Sequence, residues 1–104
     1  MEITITEQNF DEIVSSNRVV MIDFGATWCG PCKALAPVVE EIARDYEGRA
    51  AVCKADVEEV SDIAARFRIR NVPTVLFFQN GELKDKSVGA VQKSTLTDKL
   101  DALL

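Results

Sequence analysis

Two cysteines separated by two residues form the part of the sequence best suited to covalent chemistry. Cys29 and Cys32 lie in the segment Trp28-Cys29-Gly30-Pro31-Cys32, between an apolar run and a pattern of helical spacing. Cysteines at positions i and i+3 of a first helical turn face the same way, so a small adjustment brings their sulfurs into disulfide range. Pro31 suits the first position of such a helix, because its missing N–H costs nothing there.

The two sulfurs are expected to differ in reactivity. Cys29 would stand outward at the helix N-terminus, where free amides and the helix dipole favour a thiolate. Cys32 would lie one turn further in, shielded and less ionised. This asymmetry suits thiol–disulfide exchange, in which one thiolate attacks a substrate disulfide and the second then attacks the mixed disulfide to release reduced product.

The same cysteine spacing has two other interpretations, half of a zinc site and a purely structural disulfide. A tetrahedral zinc site needs four ligands, and a chain with three cysteines and no histidine would have to add a carboxylate. The strand–CGPC–helix context without a second C-x-x-C favours redox use. The third cysteine, Cys53, belongs to no motif and is expected to behave as a small hydrophobic residue in a buried strand.

A carboxylate interrupts the apolar run that precedes the cysteines. Asp23 lies within the segment VVMIDFG, so we expect it to be buried. Burial would raise its pKa toward neutrality, which would let it take or return the proton of Cys32. The alternative is a structural ion pair with Lys54 on a neighbouring strand. Lys54 is also a candidate for tuning the pKa of Asp23.

Composition excludes several kinds of chemistry. The chain has 104 residues, no histidine and a net charge of −5. The missing histidine excludes Ser-His-Asp hydrolases, Cys-His proteases and histidine-containing metal sites. The acidic balance argues against nucleic acid and anionic membrane surfaces as partners. No secretory signal or transmembrane run is visible, so we expect a single domain over residues 1–104 in the reducing cytoplasm.

Hydrophobic periodicity predicts elements in the order βαβαβαββα. The predicted strands are Ile3–Ile5, Val19–Gly25, Ala50–Val57, Thr74–Gln79 and Glu82–Val88. The helices begin at Asn9, about Pro31, about Val60 and Ser94, and the second of them is expected to end at Glu47, with Gly48 in the C-cap position. Asn9 is expected to open its helix through a capping box, and Asn80-Gly81 predicts a hairpin. Lys84 and Lys86 would protect a sheet edge. The order indicates an α/β fold whose mixed sheet is parallel first and antiparallel at one edge, with helices on both faces.

Several segments together resemble the thioredoxin family. They are Asp23-Phe24, Ala26 to Lys33 with Pro37, Arg70-Asn71-Val72-Pro73-Thr74, Asn80-Gly81 and Val88-Gly89-Ala90, in the family's order and spacing and over essentially the whole chain. The resemblance implies a thioredoxin fold, with about five strands and about four flanking helices. It also implies a monomeric protein-disulfide reductase that cycles between the dithiol and disulfide forms of Cys29 and Cys32.

The resemblance further implies how this activity is supplied and directed. No cofactor would be bound, and electrons would come from NADPH through a separate flavin-containing thioredoxin reductase. The other partners would be disulfide-containing client proteins. Pro73 is expected to be cis and to lie against the sulfurs, and the backbone of Val72 to pair with an extended substrate segment. The apolar docking patch would consist of Trp28 as a half-exposed shield, Gly30, Pro31, Val72, Pro73, Gly89 and Ala90.

Two positions depart from the family's pattern. Gly25 stands where many members carry a bulky aromatic residue, so we expect looser packing beside the site. Asn71 stands where glycine is frequent, and asparagine tolerates a positive φ better than most residues. Neither change affects the sulfur chemistry itself.

Three other functions stay open on the sequence alone. A disulfide oxidase or isomerase of exported proteins could use the same fold, although its members usually place histidine between the cysteines, where this chain has Gly30-Pro31. A non-catalytic subunit could lend its apolar patch to a larger complex. A metal-binding module would lose thermal stability in the presence of a chelator.

Overall fold

The chain alternates strands and helices in the predicted order. A computed structural model describes all residues, 1–104. The strands are Ile3–Thr4 (β1), Val19–Gly25 (β2), Ala51–Asp56 (β3), Thr74–Gln79 (β4) and Glu82–Val88 (β5). The helices are Phe10–Ser16 (α1), Gly30–Asp45 (α2), Ser61–Arg66 (α3) and Lys93–Asp101 (α4).

The five strands form one mixed sheet in the order β1-β3-β2-β4-β5. The strands β1, β3 and β2 are parallel, whereas β4 and β5 continue the sheet in antiparallel pairing. This arrangement confirms the predicted α/β architecture. β5 is an edge strand, and its exposed Lys84 and Lys86 lie where edge protection was expected.

The central strand β2 is buried on both faces, as its continuous apolar run predicted. Val20, Ile22 and Phe24 belong to the core that the sheet shares with α1 and α3. Val19 and Met21 belong to the core beneath α2 and α4. Because side chains alternate along a strand, Asp23 lies on the α2 face, the side that carries the two cysteines.

The hairpin between β4 and β5 follows the sequence signal. Asn80 and Gly81 both have positive φ, at 52° and 82°, as the tight turn requires. The prediction for the start of α1 was partly wrong. Asn9 is the N-cap residue of α1, but its side chain accepts a hydrogen bond from the Thr6 amide at 2.8 Å and makes no cap bond to the helix. The turn from Thr6 to Asn9 therefore engages the Asn9 side chain, which a capping box would have used to accept a hydrogen bond from the helix.

Other boundaries moved by one or two residues. α4 begins at Lys93, before the predicted Ser94, with Gln92 as its N-cap residue. α2 ends at Asp45, and the chain turns through Gly48 at a φ of +83° three residues later. Neither shift changes which faces of the helices pack on the sheet.

Candidate active site

The two motif cysteines lie at the beginning of α2 and form a disulfide. Cys29 is the N-cap residue, Cys32 is in the first turn, and their Cα atoms are 5.2 Å apart. The amide of Cys32 donates a hydrogen bond to Cys29 Sγ at 3.1 Å. This helix terminus therefore presents an N–H group to the sulfur that is expected to carry negative charge after reduction.

The expectation of an outward Cys29 was wrong for this disulfide form. Cys29 is 5% exposed and Cys32 is 8% exposed, so overall exposure does not distinguish them. Together with Ala26 they form a small apolar cluster, and Val57 and Val72 pack against it. The cover on Cys29 comes from loops distant in sequence, which the helical geometry alone does not reveal.

A loop between α3 and β4 lies against Cys29. The Val72–Pro73 peptide bond is cis, as the family resemblance implied, and Pro73 is buried. The carbonyl oxygen of Val72 is 3.7 Å from Cys29 Sγ. The amide of Val72 makes no hydrogen bond within the protein. Val72 therefore offers free backbone polar groups beside the disulfide.

The segment after β5 is tied to the same loop. The amide of Gly89 donates a hydrogen bond to the Pro73 carbonyl at 2.8 Å, and Gly89 adopts a φ of +95°. Val72 and Gly89 are half-buried, whereas Gly30, Pro31 and Ala90 are exposed. The structure thus connects the beginning of α2, the Pro73 loop and the Gly89 segment in one region.

Trp28 is more exposed than the predicted half-exposed shield. Its exposed fraction is 67%, and it is the one aromatic residue among the exposed large hydrophobic side chains. The indole is therefore available beside Cys29 for contact with another molecule and does not form part of the core. Tryptophan is enriched at protein interfaces, where its large ring supplies apolar contact area.

Asp23 is buried beneath the disulfide region, as predicted. It is 8% exposed, and its Oδ1 atom has no hydrogen-bond partner in the protein. Burial raises the pKa of Asp23 to about 7, and the negative charge of Glu2 acts in the same direction. A carboxyl group with such a pKa exchanges protons near neutral pH.

The alternative ion pair between Asp23 and Lys54 is absent. The two residues are level with each other on β2 and β3, but the Lys54 ammonium lies 3.8 Å from Glu2 Oε1. Sequence reasoning missed Glu2, since a single acidic residue before a two-residue strand carries no motif. Only the pairing of β1 with β3 brings it beside Lys54.

A cavity of about 340 Å³ lies between the buried carboxyl of Asp23 and Cys32. Asp23, Cys32, Gly25 and Lys54 are among the residues that line it. A Cβ atom placed on Gly25 would lie 3.3 Å from both Cβ and Sγ of Cys32. The expectation of looser packing beside Gly25 is therefore met on one side only. The cavity leaves open space beside Asp23, whereas the backbone of Gly25 lies close to the side chain of Cys32.

Asn71 causes no backbone strain. Arg68 and Asn80 are the non-glycine residues with positive φ, and Asn71 is not among them. Its carbonyl accepts a hydrogen bond from Thr74 Oγ1 at 2.5 Å. The tolerance of asparagine for a positive φ is therefore not used at this position, and glycine's freedom is not required here.

Cys53 takes no part in the site. It is fully buried in the core beneath α1 and α3, and burial raises the pKa of its thiol to about 12. The buried position agrees with the interpretation of Cys53 as a small hydrophobic residue.

No group of three or more histidine, cysteine or acidic side chains is arranged to hold a metal ion. No helix has both the length and the apolar character needed to cross a membrane.

Comparison with known proteins agrees with this geometry. The thioredoxin family model matches residues 1–102. The thioredoxin of Staphylococcus haemolyticus is 48% identical over 99 residues, which cover 95% of this chain and 94% of that protein. A chloroplastic M-type thioredoxin of Spinacia oleracea is 48% identical over 101 residues, covering 96% of this chain and 56% of that protein's length. A mutant thioredoxin from Halobacterium salinarum has a similar structure, with a TM-score of 0.92 and 37% identity over 98% of this chain and 89% of its own.

Proposed function

This chain belongs to the thioredoxin family and is a protein thiol–disulfide oxidoreductase, and we propose that Cys29 and Cys32 are its working pair in the reduction of client disulfides. One observation carries the proposal: the pair lies at the beginning of α2, beside a cavity that holds a buried carboxyl without a partner. The helix terminus suits a thiolate, and the carboxyl suits a proton acceptor.

In the first step, the Cys29 thiolate attacks one sulfur of a client disulfide. A bond forms between Cys29 Sγ and that sulfur while the client S–S bond breaks, and the second client sulfur leaves as a thiolate that takes a proton from solvent. The Cys32 amide, which donates to Cys29 Sγ, supports the negative charge before attack.

In the second step, Cys32 resolves the mixed disulfide. Asp23 accepts the Cys32 proton across the cavity that both residues line, and the resulting thiolate attacks Cys29 Sγ. The Cys29–Cys32 disulfide forms, and the client leaves with its second thiolate. Two electrons have then passed from the dithiol to the client disulfide.

Clients would dock along the backbone of Val72. An extended client segment can pair with the free amide and carbonyl of this residue, which supplies binding without dependence on client sequence. The exposed Trp28 and Pro31 would add apolar contact on one side, and Gly89 and Ala90 on the other. Such a surface suits a reductase with many clients.

The electrons would be restored by a separate thioredoxin reductase that uses NADPH, without a cofactor bound to this chain. We also propose that residues 1–104 act as one domain, since all five strands share one sheet, and that the protein is a monomer, as the family resemblance implies. A reducing cytoplasm is the proposed compartment. The free thiol of Cys53 and the odd number of cysteines support it, because proteins of oxidising compartments usually pair their cysteines.

Reduction of insulin in the presence of dithiothreitol tests the assignment. Wild-type protein and the Cys53→Ala variant are expected to accelerate insulin precipitation equally, whereas Cys29→Ser is expected to be inactive. Cys32→Ser is expected to accumulate a mixed disulfide with insulin, visible by mass spectrometry without reductant. Full turnover by Cys29→Ser, or no mixed disulfide in Cys32→Ser, would contradict the proposed roles.

A further inference from the structure

We propose that Glu2 is a positioning residue for the proton chemistry of the site, because it holds the Lys54 ammonium away from the buried carboxyl of Asp23. The inference rests on the proposed role of Asp23 as the proton acceptor for Cys32. It concerns a residue outside the motifs that identify the family, and it is carried by the arrangement of three neighbouring strands.

A row of side chains crosses the sheet at the level of Asp23. Thr4 on β1 is level with Lys54 on β3, and Lys54 is level with Asp23 on β2. Residues that are level on adjacent strands point to the same face, as do residues two apart along one extended chain. Glu2 precedes Thr4 by two residues and therefore joins this row, so Lys54 has an acidic residue on each side.

Lys54 is paired with only one of these two acids. Its ammonium is 3.8 Å from Glu2 Oε1, whereas Asp23 Oδ1 has no hydrogen-bond partner. The Lys54 side chain is 56% exposed, and the Glu2 side chain only 13%. The ammonium therefore stays at the open edge of the cavity, next to a well-covered carboxylate, and does not enter it.

The position of this cation matters because an adjacent positive charge stabilises a carboxylate and lowers its pKa. Glu2 opposes such lowering at Asp23 in two ways: it occupies Lys54, and its own charge raises the pKa of Asp23. Burial also raises the pKa of Glu2, while Lys54 lowers it and Glu40 raises it. The other ionisable groups that line the cavity with Asp23 are Cys32, Lys33, Lys54 and Asp56.

The experiment is a double-mutant cycle read out at Asp23 itself. The carboxyl carbon of Asp23 is titrated by NMR in wild type, Glu2→Gln, Lys54→Gln and the double variant, with Asp23→Asn to assign the signal. The disulfide form is used, because Cys29 and Cys32 do not titrate in it and the carboxyl is observed without coupling to thiols. Circular dichroism and thermal unfolding of each variant report on the fold.

The proposal predicts a non-additive pattern. Glu2→Gln is expected to lower the midpoint of Asp23 by about half a unit or more, since the charge of Glu2 is removed and Lys54 becomes free to approach. Lys54→Gln is expected to leave the midpoint nearly unchanged in wild type and to raise it clearly in the Glu2→Gln background. An equal effect of Lys54→Gln in both backgrounds, or an unchanged midpoint in Glu2→Gln, would overturn the proposal.

The functional consequence is measured separately. The rate at which the mixed disulfide is resolved is followed against pH, and the profile of Glu2→Gln is expected to shift to lower pH by the same amount as the NMR midpoint. If Asp23→Asn leaves resolution unchanged, the proposed proton role of Asp23 is wrong, whereas the titration cycle still decides the effect of Glu2 on Lys54. A purely structural role of Glu2 would change thermal stability without the non-additive titration.

Discussion

The backbone of Gly25 lies so close to Cys32 that a Cβ atom at this position would be 3.3 Å from both Cβ and Sγ of the cysteine. Contacts this short require the neighbouring side chain to move. Cys32 is held in the first turn of α2 and by its disulfide, so it has little freedom to do so. This close approach to Cys32 is a structural reason for glycine at position 25.

We expect Gly25→Ala to lower the free energy of unfolding by about 1 kcal/mol. Overpacking against a fixed side chain costs roughly 1–3 kcal/mol, and the entropy lost from the unfolded glycine offsets about 0.4–1 kcal/mol of it. Denaturant unfolding of the disulfide form provides the measurement. Gly30→Ala is the matched control, because a Cβ there meets nothing within 4 Å. Equal stability of the two variants would contradict the close approach.

The pKa of Asp23 predicts an unusual dependence of stability on pH. Burial raises this pKa from 3.8 to about 7, so the folded state binds a proton more tightly than the unfolded state does. The stabilisation is complete below pH 3.8 and is lost as the pH rises through about 7. Over that interval, wild type should lose up to about 4 kcal/mol relative to Asp23→Asn.

Chemical denaturation at a series of pH values between 4 and 8 measures this difference. Asp23→Asn is expected to be the more stable protein at pH 8, because asparagine avoids the buried charge. Parallel stability curves for the two proteins would show that Asp23 does not titrate in this range and would remove the basis for its role as proton acceptor.

Asp23→Asn is also expected to slow resolution of the mixed disulfide at pH 7 by about 100-fold, a typical contribution of a positioned general base. The deficit should shrink at higher pH, where Cys32 loses its proton to hydroxide without help. The decay of a preformed mixed disulfide, followed by mass spectrometry, measures the rate. Asp56→Asn is the control, since Asp56 lines the same cavity but its Oδ1 accepts a hydrogen bond from the Glu58 amide at 2.9 Å.

Cys53 is expected to resist alkylation in the folded protein. Burial raises the pKa of its thiol to about 12, and the residue is 0% exposed. Reduced native protein treated with iodoacetamide should therefore carry no adduct on Cys53, whereas protein unfolded in urea should gain three adducts. Mass spectrometry counts the adducts, and rapid labelling of Cys53 in the native protein would contradict its placement in the core.

The features that depend on local sequence were predictable. Asn80-Gly81 predicted the hairpin because both residues favour positive φ, and the apolar run around Asp23 predicted a strand covered on both faces. The Cys29–Cys32 spacing predicted the paired sulfurs, because positions i and i+3 of a helical turn face the same way. In each case a few neighbouring residues contain the whole signal.

The features that depend on distant contacts were not predictable from the sequence pattern. Cys29 was expected to be outward, but Val72 packs against it from 43 residues away. Glu2 gave no signal, because its effect on Lys54 exists only once β1 pairs with β3 in the observed register. The local sequence places Cys29 at the N-terminus of a helix, but only tertiary packing determines which residues cover it.

The connection between Gly89 and Pro73 predicts that one backbone change should impair client binding. Gly89 has a φ of +95°, and its amide donates to the Pro73 carbonyl at 2.8 Å. Gly89→Ala is expected to cost about 1–2 kcal/mol of stability, since an L-residue is strained in this conformation. The amide of residue 89 holds the Pro73 loop beside Cys29, so strain at this residue should displace the loop. The KM for insulin should therefore rise several-fold.

The variant Gly81→Ala separates the loss of stability from the rise in KM. Gly81 has a φ of +82° in the hairpin and lies outside the docking patch, so its substitution should cause similar strain without changing the KM. Denaturant unfolding and steady-state insulin reduction are measured for both variants. If both variants lose stability equally and both keep the wild-type KM, the Gly89 segment does not support client docking. A KM increase confined to Gly89→Ala means that this hydrogen bond positions the loop that clients use.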